Sequence, residues 1–234
     1  MKIALLGYGR MGKAIEKIAV ERGHEIIYRL DHNLEEGTLQ KADVAINFSV
    51  PQAAVENIKK GFDNELPVVC GTTGWLEELH TIENLCKAKK TAFLYASNFS
   101  VGVNLFFKLT RFLAKIMQPH AAHYKASLNE IHHIHKLDAP SGTAITIAEN
   151  IIDNSHYDQW SMEPKEENQL PIHSQREGEV PGTHSVEYES EIDSIKIIHE
   201  ANNRKGFALG AVIAAEWIIG KTGVFSMEDV LNLS

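Results

Sequence analysis

Cysteine is nearly missing from this chain, with only Cys70 and Cys86 among 234 residues. They form no CxxC pair and no framework of paired spacings. That excludes a disulfide-stapled secreted scaffold and points to a reducing compartment with two buried thiols. Long apolar runs are missing as well. None approaches the roughly 20 residues that a membrane-spanning helix needs, so no membrane partner is expected. The apolar run at residues 1–6 leads into glycine and lacks the length and cleavage site of a signal peptide, so a cytoplasmic location is expected. Positive charge is in deficit: 23 Lys and Arg stand against 31 Asp and Glu, a formal net charge of -8. A generic nucleic-acid surface is therefore excluded, although a local basic pocket for an acidic metabolite is not. Repeats and low-complexity tracts are absent. What remains is 44% hydrophobic and 23% charged, the composition of a soluble globular chain long enough for one large domain or two small ones.

The apolar pattern predicts an α/β fold. Continuous apolar runs at residues 3–6, 44–48, 67–70 and 92–95 read as strands buried on both faces, with a further strand at 25–30. Met11, Ala14, Ile15, Ile18 and Ala19 recur at helical spacing, and Gly23 closes that helix. Helices are expected from Pro51 to about residue 61 and over residues 75–89. This alternation implies a Rossmann-like parallel-sheet dinucleotide domain. After residue 98 the pattern changes. A long amphipathic helix is predicted over residues 100–117, a strand at 125–133 and a helix at 143–152. A polar, irregular stretch follows at 157–178, then alternating antiparallel strands at 185–188 and 193–199 and a buried helix at 207–219. The expected division is residues 1–99 with 206–234 for dinucleotide binding, and a second α+β domain at 100–205 for substrate binding and oligomerisation.

Gly7-Tyr8-Gly9-Arg10-Met11-Gly12 matches G-x-G-x-x-G between the first strand and the first helix. Gly7 permits a tight turn, Gly9 lets backbone approach a pyrophosphate, and Gly12 lets helix pack on strand. The helix N-terminus attracts the phosphates. Asp31, at the end of the second strand, is placed for the adenosine ribose hydroxyls. An acid there favours NADH over NADPH, a preference that Arg29 and His32 beside it soften. Gly71-Thr72-Thr73-Gly74 and Ala96-Ser97-Asn98-Phe99 follow strands, where ligands bind in doubly wound sheets. Both are equally read as ordinary loops, and Asn98 as a helix cap.

The segment Glu130-Ile131-His132-His133-Ile134-His135-Lys136-Leu137-Asp138-Ala139-Pro140-Ser141-Gly142-Thr143 sets imidazoles and a lysine beside a turn that opens a helix. Proton donors next to helix-start amides suit a small carboxylated substrate. Three histidines also raise a zinc site, but no ligand at HExxH-like spacing completes one, and no metal is expected. On a continuing strand His133 and His135 would face away from His132; if the strand has ended, they need not.

This segment closely resembles the E-x-H-H-x-x-K-x-D-x-P-S-G-T signature of the 4-hydroxy-tetrahydrodipicolinate reductase (dihydrodipicolinate reductase) family. Gly9-Arg10-Met11-Gly12, Gly71-Thr72-Thr73-Gly74, Asn98-Phe99-Ser100-Val101-Gly102, Arg176-Glu177-Gly178, Val180-Pro181-Gly182-Thr183 and Gly210-Ala211 resemble the family in the same order. The resemblance implies an oxidoreductase of diaminopimelate and lysine synthesis that reduces a cyclic imine dicarboxylate with NADH or NADPH, as a homotetramer. Carried over by motif position, His132 is the acid/base residue and Lys136 the proton donor. His133, Ser141, Gly142 and Thr143 bind substrate. Gly7, Tyr8, Gly9, Arg10, Met11, Gly12, Asp31, Gly71, Thr72, Thr73, Ala96, Ser97, Asn98 and Phe99 bind cofactor. The glycine loop is one residue shorter than the commoner G-x-x-G-R-M-G, and His32 stands where many members have arginine. Arg204, after the last expected strand, is placed to reach substrate or to lie solvated at the surface. A nicotinamide-sensing module without turnover, and a reductase of another small oxo- or imino-acid, are the competing readings.

Overall fold

The computed structural model describes residues 1–203 and 205–233. The chain opens with β1 (Lys2–Leu6), α1 (Arg10–Glu21), β2 (Glu25–Asp31), β3 (Leu34–Gly37), β4 (Val44–Asn47), α2 (Pro51–Asp63), β5 (Val68–Cys70), α3 (Leu79–Lys89) and β6 (Ala92–Tyr95). It continues through α4 (Val101–Met117), β7 (Lys125–His132), α5 (Gly142–Ile152), β8 (Gln159–Ser161), β9 (Gln169–Arg176), β10 (Thr183–Glu189) and β11 (Ser194–Glu200). It closes with α6 (Lys205–Ile218), β12 (Gly223–Phe225) and α7 (Met227–Val230). Two compact units result, Met1–Val101 with Lys205–Ser234, and Gly102–Arg204.

In the first unit the sheet order is β12-β6-β5-β4-β1-β2-β3. Neighbours pair in parallel except β3, which runs antiparallel to β2 at the edge. The apolar run of β1 is explained by burial on both faces. Ile3 and Leu5 enter one core with α1 and α6, while Ala4 and Leu6 enter the other with α2 and α3. Helix α1 buries Gly12, Ile15 and Ala19, and Gly23 follows its cap at φ +82°, the left-handed stop its position predicts. Two strands escape the apolar pattern. β3 (Leu-Glu-Glu-Gly) is an edge strand with three of its four residues exposed, and β12 has three half-buried residues.

The second unit is a five-stranded sheet, β11-β10-β7-β9-β8, with α4 and α5 packed on one face. The irregular stretch expected at 157–178 is a correction: it contains β8 and the eight-residue β9. β9 pairs parallel with β7, opposite in sense to the β7–β10 pairing. Its alternation is apolar only at Leu170 and Ile172, and the same face continues as Ser174 and Arg176. Polar residues thus occupy inward positions, which hides the strand from a hydrophobic pattern. No described helix is long and apolar enough to cross a membrane.

Candidate functional site

In the first unit the β1–α1 turn is built from backbone constraints. Gly7 has φ +109°, and a Cβ there would lie 2.2 Å from the Phe48 carbonyl oxygen. A Cβ on Gly12 would lie 2.3 Å from the Gly7 carbonyl oxygen, so strand and helix touch where the motif demands it. Gly9 differs: a Cβ there would meet no protein atom within 4 Å. It faces a cavity of about 640 Å³ lined by Gly7, Gly9, Arg10, Met11, Leu30, Asp31, His32, Phe48, Ser49, Val50, Ala53 and Asn57. An open cradle at a helix start, with an acid at the end of β2, fits the pyrophosphate and ribose of a dinucleotide. The volume lies in the ordinary range for a small-molecule site.

The structure distributes the other expected cofactor residues more widely. Tyr8 turns toward α1, where its hydroxyl bonds the Glu16 carboxylate. Arg29 is bound by Glu16 and lies over the Tyr8 ring, so its guanidinium is committed to α1 and is not among the cavity residues. Its expected softening of cofactor preference loses its support, while His32 does line the cavity. Gly71, Thr72 and Thr73 follow β5, and Thr72 Oγ1 accepts the Ser49 N–H at 2.9 Å. Ala96, Ser97, Asn98 and Phe99 follow β6. Asn98 Oδ1 accepts the Ser100 N–H at 2.9 Å, a local capping role. The Phe99 side chain is a core residue, 1% exposed and packed on Phe48, so only its backbone is available to a ligand.

In the second unit strand register builds the site. On the helix-covered face, Tyr188 opposes Ala126, and Val186, Leu128 and Ile172 form the next row. One step further the row is His184, Glu130 and Ser174, and beyond it His132 stands beside Arg176. The core face therefore turns polar at the end of β7, where α5 begins. Glu130 is fully buried. Both of its oxygens accept the Ser141 N–H at 3.1 Å. Oε1 also accepts from Ser174 Oγ at 2.6 Å and from Arg176 at 3.3 Å. Oε2 stands 3.3 Å from His132 Nδ1 and 3.8 Å from His184 Nε2. His132 Nδ1 is itself buried without a hydrogen-bond partner. Burial opposes ionisation of Glu130, but His132, Ser141 and Ser174 together hold its carboxyl well below the usual carboxylate range. Removing one partner of a buried ion pair of this kind costs about 3–5 kcal/mol, because the other charge is left uncompensated.

His184 lies edge-on to His132, with ring centroids 5.0 Å apart. Burial, then the neighbouring His132, push it down to about 4, so it is neutral near pH 7. The Lys136 ammonium bonds both Asp138 oxygens at 2.8 Å, which draws Asp138 below its ordinary value. Arg176 donates to the carbonyl oxygens of Lys136 and Asp138, fastening the lysine's loop to the Glu130 row. β7 ends at His132, so His133 and His135 are released from strand alternation. His133 is half-buried, and the exposed His135 pairs with Glu179 at 3.0 Å.

Ser141 departs from expectation. It caps α5, its hydroxyl accepting the Ala144 N–H at 3.1 Å, but its own amide is spent on Glu130. The amides of Gly142 and Thr143 remain as first-turn donors without an intrahelical acceptor, and a Cβ on Gly142 would meet nothing within 4 Å. One donor atom each from Glu130, His132 and His184 lie within 4.8 Å of one another. The positive charge facing that carboxylate is already Arg176, and its oxygens are filled by Ser141 and Ser174. The group is read as a proton-handling network rather than as ligands. Arg204 lies outside the described residues.

Glu130, Ser174, Arg176 and His184 were not singled out as site residues from the sequence. Period-two alternation along β7 does place Glu130 on the face of His132, but pairing with β9 and β10 is long-range and leaves no local mark. In the first unit, Phe48, Ser49, Val50, Ala53 and Asn57 were likewise missed. The apolar run of β4 breaking at Ser49-Val50-Pro51 was the available signal.

Family models described as the N-terminus and the C-terminus of dihydrodipicolinate reductase match residues 1–99 and 102–231. The 4-hydroxy-tetrahydrodipicolinate reductase of Christiangramia forsetii is 52% identical over 99% of this chain and 98% of its own length. That of Akkermansia muciniphila is 37% identical, with coverages of 97% and 95%. The solved structure of a dipicolinate-bound dihydrodipicolinate reductase from a Paenisporosarcina species matches with a TM-score of 0.80 over 97% of each chain, at 23% identity. That last likeness is one of fold.

Proposed function

The chain belongs to the dihydrodipicolinate reductase family, and on that premise we propose that it acts as a 4-hydroxy-tetrahydrodipicolinate reductase, forming tetrahydrodipicolinate for diaminopimelate and lysine synthesis. One observation carries the chemical reading. The register of β7 sets an imidazole, His132, against the N-terminus of α5 through a shared carboxylate, so an acid/base group adjoins an anion cradle. The other unit carries the dinucleotide turn.

Once the 4-hydroxyl has left as water, a reduced nicotinamide, when bound, supplies hydride to the conjugated imine. Hydride addition leaves electron density on the substrate that a proton must meet. Lys136, an ammonium held by Asp138, is the donor in this reading, and His132 is the acid/base group. His133 and the Gly142 and Thr143 amides hold the substrate carboxylates. Ser141 supports them by capping α5. Residues 1–99 with 206–234 bind the cofactor through Gly7, Gly9, Arg10, Met11 and Asp31, and residues 100–205 bind substrate. Asp31 repels a ribose 2′-phosphate, so NADH is preferred. The enzyme works in the cytoplasm as a homotetramer. Supporting assembly, α4 presents Leu105, Leu109, Phe112 and Ile116 as an exposed apolar stripe, a pattern that marks an interaction surface.

The test is NADH and NADPH oxidation with substrate generated in situ from pyruvate and aspartate semialdehyde by the preceding synthase. Substrate-dependent oxidation, faster with NADH, is expected. Dinucleotide binding without oxidation would return the chain to a sensing module or to another imino acid.

A further inference from the structure

The Glu130 row holds more than a structural ion pair needs. A buried carboxylate is satisfied by two or three donors, and Ser141 N–H, Ser174 Oγ and Arg176 supply these. Yet its Oε2 also lies 3.3 Å from His132 Nδ1, a buried nitrogen with no hydrogen-bond partner. The Arg176 that meets its Oε1 reaches on to the carbonyls of Lys136 and Asp138. A single buried side chain thus touches the imidazole, the start of α5 and, through one guanidinium, the loop of the lysine.

We propose that Glu130 is a positioning residue for proton transfer: it fixes the proton of His132 on Nδ1, leaves Nε2 as the working nitrogen, and with Arg176 sets Lys136 and the α5 N-terminus in register with it. The inference rests on the roles given above to His132 and Lys136. Its chemistry is that of an orienting carboxylate, which selects a tautomer and stabilises the imidazolium without itself taking the proton. The Nε2 side supports this assignment. Gly182 lies opposite His132 across the sheet, and a Cβ there would come within 3.1 Å of Nε2, so glycine keeps that nitrogen clear. The charged and titratable groups facing His132 are Glu130 on its own strand, His184 on β10 and Arg176 on β9. Lys136 and, on β11, His199 lie close enough to His184 to act on it, and Asp138 in the following loop is paired with Lys136. Glu130 is the anion among them that meets the ring, and Asp138 is neutralised by Lys136.

The test is Glu130→Gln in the full-length protein, which keeps the shape and removes the charge. The expected result is a kcat lower by at least about 30-fold, with KM for NADH within about threefold of the unaltered enzyme. The alkaline limb of kcat/KM against pH should also move to lower pH by about one unit, because a negative charge beside the acid is gone. A purely structural Glu130 would lower the unfolding temperature and the yield of active enzyme without moving that limb. A folded variant with kcat within threefold of the unaltered enzyme and an unmoved profile overturns the inference. Should the variant fail to fold, the imidazole ¹⁵N spectrum of the unaltered protein decides, with the His132 signal assigned by its loss in His132→Gln. Nδ1–H in the neutral ring is expected, and Nε2–H overturns the proposal. If the unaltered enzyme reduces no substrate at all, the reading of function fails instead, and the ¹⁵N result still stands by itself.

Discussion

Two glycines in one motif should fail in opposite ways. In Gly9→Ala the new Cβ meets no protein atom within 4 Å, so the cost to folding is confined to a poorer helix cap, about 1 kcal/mol at most. For a chain of this size that is roughly 2–4 °C in Tm. The same methyl occupies the space where a pyrophosphate approaches backbone. Overpacking of that kind costs about 1–3 kcal/mol, or roughly 5- to 150-fold in Kd for NADH. In Gly12→Ala the Cβ would lie 2.3 Å from the Gly7 carbonyl oxygen, so β1 and α1 must part. The same about 1–3 kcal/mol then falls on the fold and lowers Tm by roughly 2–12 °C. The assays are thermal unfolding by circular dichroism and fluorescence titration with NADH. Unweakened NADH binding by folded Gly9→Ala would refute the placement of the dinucleotide, whatever Gly12→Ala does.

Lys136→Ala should lower kcat by about 10²-fold or more while leaving NADH affinity within a few-fold, read by steady-state kinetics beside NADH titration. A near-native kcat would remove the lysine from proton donation. Asp31→Ser should raise kcat/KM for NADPH relative to NADH by tenfold or more, about 1.4 kcal/mol of relieved repulsion; an unchanged ratio would show that Asp31 does not face the ribose. Acid should weaken the second unit before it unfolds the chain. His184 is depressed to about 4 in the folded protein from an ordinary 6.5, so its contribution is complete above pH 6.5 and fades as pH falls toward 4. That is on the order of 3 kcal/mol of stability across this window. Urea unfolding midpoints at pH 7 and pH 4.5 measure it, and His184→Gln should flatten the dependence. Glu130 adds a further loss at more acid pH, where its carboxylate finally protonates.

What was legible in the sequence was local. The apolar runs of β1, β4, β5 and β6 announce strands buried on both faces, and each lies within a residue or two of its expected place. The β1–α1 glycines announce their turn because backbone contact at Gly7 and Gly12 tolerates no side chain. β9 was illegible because its inward face changes from Leu170 and Ile172 to Ser174 and Arg176, which no hydrophobic period detects. In its polar half Ser174 and Arg176 turn inward, half-buried, to meet Glu130 and His132 on the neighbouring strand. The same non-local pairing conceals the partners of Glu130, namely Ser174, Arg176 and His184, which are 44 to 54 residues away along the chain. Arg29 shows the reverse error: neighbour in sequence to Asp31, it is claimed by Glu16 across the β2–α1 contact.

In the reaction read here, hydride passes from a reduced nicotinamide to a cyclic imine dicarboxylate. The most direct measurement uses NADH deuterated at the transferring position, with substrate made in situ, and mass spectrometry of the product. The expected result is one deuterium in each tetrahydrodipicolinate formed, with product appearing more slowly after Gly9→Ala at NADH concentrations well below its weakened Kd. Product formed without deuterium in a control of established stereochemistry, or no product while NADH binds, would contradict it.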